Sequence, residues 1–288
     1  MLAALRSDRI DPIRITGECD RIRHESSRTA ASIEDLRTLF RSIDLTTLEG
    51  TDTDEKVRKL CAKAVRTADR LAVAAVCVHS TFVREAKRAL HGSEVRVASV
   101  AGAFPSGQSP IHVKLAEVTY AIGEGADELD VVINRGKFLE GDLQFVFDEI
   151  VAMKECCGDR TLKVILETGE LADPRLIATA SDLAIAAGAG FIKTSTGKAS
   201  IGATLEAVVV MLHAIRDHFS RTGVRIGIKP SGGIRNVADA MQYLIAVRRL
   251  LGEEWLDPRY FRIGASSLLD DITLHMDRIG EAQDPADR

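Results

Sequence analysis

Two lysines stand where a chain seldom puts them. Lys193 follows an apolar run in "FIKTSTGKAS" (Phe191 to Ser200), and Lys229 follows another in "VRIGIKPS". A lysine at the end of an inward-facing strand is rare unless it is paired or used. Two ammonium groups on adjacent inward faces repel, and partial burial penalises each charge, so one of them gives up its proton near neutral pH. A neutral amine in such a place attacks carbonyl carbon and forms a Schiff base. A nearby carboxylate then moves the protons that make and break the enamine. Asp130 in "ELDVV" and Asp44 in "SIDLT" are the carboxylates in reach.

This chemistry requires elements that bring residues 44, 130, 193 and 229 together. From Ile43 onward, short apolar or β-branched runs alternate with longer segments of helical period, the pattern of βαβ units. The strand candidates are "SIDLTTL", "LAVAAVCVH", "VRVASVAG", "ELDVVIN", "TLKVILET", "GFIKTST", "VRIGIKPS" and "YFRIGAS". Between the first two, "TDEKVRKLCAKAVRTADR" carries Val57, Leu60, Cys61 and Ala64 on one helical face behind a cap at Thr53 or Asp54. Glycines close helices before strands in "AIGEGADELD" and "AIAAGAGFIK". Eight strand–helix units with right-handed crossovers predict an α/β fold, a single (β/α)8 TIM barrel. An open doubly wound sheet would carry a glycine-rich turn after its first strand, but "LTTLEGTDTDE" has one glycine. The barrel spans residues 32–282 and opens with a helix from Ser32 to Ser42. Residues 1–31 form a loosely held helical extension and residues 283–288 a tail.

Barrel active sites lie at the C-terminal ends of the strands. Alternation puts Lys193 on the face of Phe191 and Ser195, and Lys229 on that of Arg225 and Gly227. Asp130 shares a face with Val132, and Asp44 with Thr46. The competing reading makes the two lysines ordinary ion-pair partners of Asp130, Glu167 or Asp44. "IKPSGGIRN" and "GASSLLDD" follow strands seven and eight, where barrels often bind phosphate. Gly232 and Gly233 admit an anion to the backbone, and Ser266 and Ser267 open a helix whose dipole favours negative charge. Plain turn and capping roles account for the same residues.

Other chemistries lack their residues. "GKAS" resembles the end of a P-loop, but Ile192 stands where the first glycine belongs. The seven histidines form no HxH or HExxH, so a zinc-dependent reaction has no ligand set, and His213 and His218 read as helix-surface residues. A net charge of −4 gives no footprint for nucleic acid, and no apolar segment reaches the roughly 20 residues that span a bilayer. Five cysteines without a CxxC pattern fit a reducing compartment, so a cytoplasmic protein is expected.

The set "IDLTTLEGT", "VCVH", "GADELDVVIN", "LKVILETGEL", "FIKTSTGKA", "IGIKPSGGIR" and "RIGASSLL", running in order from Ile43 to Leu269, resembles the deoxyribose-phosphate aldolase family. The resemblance implies reversible cleavage of 2-deoxy-D-ribose 5-phosphate to D-glyceraldehyde 3-phosphate and acetaldehyde, in deoxyribonucleoside catabolism. It implies Lys193 as the Schiff-base lysine, Lys229 as the lysine that perturbs it, and Asp130 as the proton relay. Thr46, Thr196, Lys198, Gly232, Gly233, Gly264, Ser266 and Ser267 match positions that hold hydroxyls and phosphate, while Asp44 and Cys77 match pocket-lining positions. No metal or organic cofactor is implied. The partners are the sugar phosphate and aldehyde substrates, with assembly into a homo-oligomer, a dimer or tetramer. Some similar bacterial members end in a tyrosine that assists proton transfer. This chain ends "EAQDPADR", and Tyr260 falls at the wrong end of the barrel. The alternatives are another class I aldolase acting on a different sugar phosphate and a non-catalytic sugar-phosphate-binding barrel.

Overall fold

The strands that carry the lysines pair side by side, with Lys193 in register with Lys229. In the computed structural model, which describes residues 10–66 and 71–283, eight parallel strands follow one another around a ring. They are β1 (Ile43–Thr46), β2 (Ala75–His79), β3 (Arg96–Ala101), β4 (Glu128–Val132), β5 (Thr161–Ile165), β6 (Phe191–Lys193), β7 (Gly227–Lys229) and β8 (Ile263–Ala265). Each pairs with the next, β8 pairs with β1, and bridges from Ile228 to Phe261 and from Ser231 to Gly264 close β7 onto β8. The closure is hydrogen-bonded. The Arg262 N–H donates to the Ile228 carbonyl at 3.0 Å, and the Gly264 N–H donates to that of Pro230 at 2.9 Å. The (β/α)8 barrel expected from the strand count is the fold observed.

The helices outside the strands are α1 (Pro12–Arg28), α2 (Ile33–Arg41), α3 (Asp54–Lys63), α4 (Val83–Ala89), α5 (Ile111–Gly123) and α6 (Arg135–Leu139). They continue as α7 (Leu143–Cys157), α8 (Thr168–Leu171), α9 (Pro174–Ala186), α10 (Leu205–Thr222), α11 (Val237–Leu251) and α12 (Leu268–Gln283). Among the described residues no helix is long and apolar enough to cross a membrane. Ser32 caps α2 in a reciprocal box with Asp35, at the boundary expected. Gly125 and Gly188, with φ of +104° and +95°, turn the chain after α5 and α9 as their spacing predicts.

Two local readings need correction. The helix after β1 stops at Lys63, because the Ala64 carbonyl accepts from the Val73 N–H at 3.0 Å instead of continuing the helical ladder. Val65–Arg66 then pairs antiparallel with Leu71–Ala72, so the run from Leu71 is a short hairpin arm followed by β2. The segment before Ser32 is also more than a loose extension. Ile15, Cys19 and Ile22 recur at helical spacing and are buried, so α1 lays an apolar stripe on the barrel's outer layer. Its charged residues, which balance one another in the sequence, reach across to α10 and α11: Glu18 to His213, Arg23 to Glu206 and Glu25 to Arg249. His213 is therefore covered by α1 and is not a surface residue. Residues 1–9 and 284–288, the outer part of the extension and most of the tail, lie outside the described residues.

Alternation along the strands separates two interiors. Val76, Val78, Val97, Leu129, Val131, Leu162, Val164, Ile192 and Ile228 point outward into the main core beneath the helices. Inside the ring, Ala75, Cys77, Ala98 and Val100 of β2 and β3 make a small separate apolar cluster with Leu48. The inward positions of β1 and of β4 to β7 include Asp44, Glu128, Asp130, Lys163, Lys193 and Lys229, Arg262 enters just ahead of β8, and Phe191 and Gly227 form a matched pair. The Phe191 ring occupies the space that a side chain at 227 would need.

Candidate active site

Strand parity brings four cations and three carboxylates into the barrel. Lys163, Lys193, Lys229 and Arg262 face Asp44, Glu128 and Asp130, and none of the seven is more than 3% exposed. Such burial is tolerated only when charges are paired and hydrogen-bonded. Asp130 lies at the centre. Its Oδ1 accepts from Lys163 Nζ at 2.8 Å, and its Oδ2 accepts from Lys193 Nζ at 2.8 Å and from Lys229 Nζ at 2.7 Å. Lys229 is also bound to Asp44, and Lys163 lies 3.2 Å from Asp44 and 2.7 Å from Glu128. Arg262 spans Asp44 at 2.6 Å and Glu128 at 2.9 Å. Arg96, half-exposed, reaches Glu128 from the solvent side at 2.9 Å.

The amines are not equivalent. Burial pushes the Lys193 pKa down; its single carboxylate contact, Asp130, opposes this and the neighbouring Lys229 adds to it, leaving it below the ordinary lysine value. Lys229 suffers the same burial, but Asp130 and Asp44 outweigh it and hold the ammonium above its ordinary range. Lys163, among three carboxylates, is held well above it. Burial opposes the ionised form of Asp130, but Lys163, Lys193 and Lys229 overcome it and keep the carboxyl well below 3.8. Asp44 and Glu128 are depressed for the same reason.

That depression has a direction in pH. A carboxylate whose folded pKa is below its unfolded value contributes stability that is fully present above the unfolded pKa and is lost as the pH falls through the folded one. The unfolded values are 3.8 for Asp44 and Asp130 and 4.5 for Glu128. Stability measured by denaturant titration should hold from neutral pH to about 4.5 and then decline continuously below it. A decline that began near pH 6 would mean that groups other than these three dominate.

Above the charges opens a cleft of about 670 Å³ at the C-terminal ends of the strands. Lys193 forms part of its floor, and Thr46, Thr196, Lys198, Gly232, Gly233, Gly264, Ser266 and Ser267 line it. Asp44, Asp130, Lys229 and Cys77 are fully buried and do not line the cleft. They support its floor, so the pocket-lining role inferred for Asp44 and Cys77 does not describe where they sit. The ion-pair reading of the two lysines is correct as far as Asp130 and Asp44 are concerned. Glu167 plays no part in it.

Glu167 does something else. With φ +57° and ψ +58° after β5, it turns its carboxylate under the next loop, where it accepts from the Thr196 N–H at 3.2 Å and from the Thr196 hydroxyl at 2.5 Å. Thr196 Oγ1 in turn accepts from the Lys198 N–H at 3.1 Å, which fixes the "TSTG" turn. Lys198 Nζ reaches Glu49 across the mouth at 3.0 Å. On the opposite wall, Gly232 and Gly233 have φ of +86° and +82°, a conformation that favours glycine, and Gly202 packs directly against the Gly232 carbonyl. Gly264 leaves room for Ser231 and for the Lys229 side chain beneath it. With Ser266 and Ser267 ahead of α12, this wall offers main-chain N–H groups and a helix N-terminus to an anion. Among the described residues, no group of three or more His, Cys, Asp or Glu side chains could hold a metal ion.

Lys163, Glu128 and Arg262 are the residues that sequence reasoning passed over. Each stands two residues from an inward position, Glu128 before Asp130, Lys163 before Ile165 and Arg262 before Gly264, so parity places them inside once the ring is closed.

The chain is similar to known proteins over most of its length. Residues 38–272 match the DeoC/LacD family aldolases. Over 244 residues the chain is 46% identical to the human deoxyribose-phosphate aldolase, covering 80% of this chain and 77% of the human one. A solved putative deoxyribose-phosphate aldolase from Coccidioides immitis superposes with a TM-score of 0.73 at 29% identity, covering 90% of this chain and 97% of that one. A tetrameric deoxyribose phosphate aldolase from Aeropyrum pernix superposes at 0.69 and 28% identity with the same coverage.

Proposed function

The chain belongs to the DeoC/LacD aldolase family and is a carbon–carbon lyase acting on deoxyribose phosphate, and we propose that its reaction runs through a Schiff base on Lys193. The observation that carries this reading is the inequality of the two amines. Lys193 meets one carboxylate and opens to the cleft, while Lys229 meets two and is sealed beneath it.

On this reading the phosphate of open-chain 2-deoxy-D-ribose 5-phosphate rests against Gly232, Gly233, Ser266 and Ser267, and C1 lies over Lys193. Neutral Nζ adds to the aldehyde, and uptake of one proton with loss of one water leaves an iminium. The C2–C3 bond breaks as the C3 hydroxyl loses its proton, and its electron pair moves onto C2 to form the enamine. D-Glyceraldehyde 3-phosphate leaves, C2 takes a proton, and one water hydrolyses the iminium to acetaldehyde and neutral Lys193, returning the proton taken up when the iminium formed. Asp130 touches both amines, which suits it to pass protons between Lys229 and the reacting carbons. Thr46, Thr196 and Lys198 are within the cleft to hold hydroxyls, and Cys77 backs its floor. The tetrameric relative supports assembly of identical chains. Five free cysteines suit a reducing cytoplasm and a role in deoxyribonucleoside catabolism.

Acetaldehyde with borohydride should add an ethyl group to Lys193, located by peptide mass. A label on Lys229, or no covalent adduct, would overturn the assignment of roles.

A further inference from the structure

We propose that Arg262, clamped to Glu128 at the lower end of the barrel, is a positioning residue that keeps Lys193 uncharged by occupying an anionic place Lys193 would otherwise fill. The proposal rests on Lys193 being the attacking amine.

Three buried carboxylates offer three negative charges. Arg262 cannot release its proton, so it always claims a share of them, through Asp44 and Glu128. Lys163 touches all three carboxylates, and Lys229 touches two. Lys193 is left with Asp130, which it shares with both other lysines. Four cations against three carboxylates leave one proton in excess in a medium where an unpaired charge is expensive. The amine with the fewest anionic contacts is the one to shed it, in line with the lowered pKa of Lys193 and the raised values of Lys163 and Lys229.

The groups facing this network come from every strand: Asp44 of β1, Cys77 of β2, Arg96 of β3, Glu128 and Asp130 of β4, Lys163 of β5, Lys193 of β6, Lys229 of β7, and Arg262 just ahead of β8. Arg96 is half-exposed and screened by water, and burial raises the Cys77 thiol so that it stays neutral. Without Arg262, Lys163 becomes the buried cation that Glu128 retains and is drawn toward it. Asp130 is then left to Lys229 and Lys193, and three cations balance three carboxylates with Lys193 charged. Removing Glu128 has the opposite effect, because four cations then compete for two carboxylates.

The test is the pH dependence of borohydride-trapped acetaldehyde on Lys193, read by peptide mass beside the kcat/KM profile. Adduct forms only from the neutral amine, so its yield rises as the pH passes through the Lys193 pKa. Arg262→Met should move that rise upward by roughly one pH unit, the order expected when one charge leaves a buried, partly screened network. Glu128→Gln should move it downward, and Arg262→Lys, which keeps the charge, should leave it in place. Damage to the fold alone would lower the yield at every pH without moving the rise in opposite directions. A rise that stays put in both Arg262→Met and Glu128→Gln, or shifts the same way in both, overturns the proposal. If Arg262→Met does not fold, Glu128→Gln decides: an unmoved or raised position overturns it. No Lys193 adduct at any pH in the unaltered protein overturns instead the reading on which the proposal rests.

Discussion

Replacing Lys193 with methionine should abolish turnover and leave the protein at least as stable as before. Loss of a covalent nucleophile removes the Schiff-base route altogether, so acetaldehyde release should fall by about 10⁴-fold or more. The stability half of the expectation is less usual, since removing one partner of a buried ion pair commonly destabilises by about 3–5 kcal/mol. Here Asp130 keeps Lys163 and Lys229 as donors, and loss of an uncharged Lys193 amine leaves the buried network at three cations and three carboxylates. Methionine fills similar volume without an amine to desolvate. Thermal unfolding of the variant should therefore show a midpoint unchanged or raised. A midpoint several degrees lower would mean that Lys193 is an ordinary structural ammonium, and retention of one per cent of the rate would remove it as nucleophile.

Replacing Asp130 with asparagine should have the contrary signature, with activity and stability lost together. Three amines donate to this carboxylate, and the variant would leave Lys163, Lys229 and Arg262, with the Lys193 amine beside them, only Asp44 and Glu128 to share. About 3–5 kcal/mol of destabilisation is the expected order, a large part of a typical domain's whole margin. The deficit should shrink as the pH rises. An amine whose folded pKa has dropped below its unfolded value gains stability between the two as it deprotonates, because the unfolded chain then holds more protons. Chemical denaturation at pH 7 and pH 9 would measure this. A deficit that is equal or larger at pH 9 counts against uncompensated charge as the cause.

These contrasts depend on residues that were only partly legible in the sequence. Lys193 and Lys229 could be read because each ends an apolar strand with a loop of hydroxyls or glycines beyond it. Lys163 and Glu128 lie in equally apolar strands and Arg262 just ahead of one, where a charged residue reads as the solvent face of a sheet. Only ring closure, through Ile228 with Phe261 and Ser231 with Gly264, turns that face into an interior. Closure is a long-range property that no local pattern carries. The shared inward face of Lys193 and Lys229 was accessible from parity, whereas the register that sets them side by side is given by the strand pairing. The path of Glu167 was not, because its φ of +57° reverses the chain with no glycine to signal it. The strand count survived local errors at Ala64 and Val65 because each apolar run was bounded by its own turn.

The helix α1 carries a lesson about where this protein ends as a unit of manufacture. The family match begins at residue 38, yet Ile15, Cys19 and Ile22 are buried well before it, against helices more than 180 residues away along the chain. A version that began just after α1 would keep every group around the cleft while stripping the cover from α10 and α11. It would present a greasy seam to its neighbours in solution, and the cost would appear as precipitation on storage, with the chemistry itself intact.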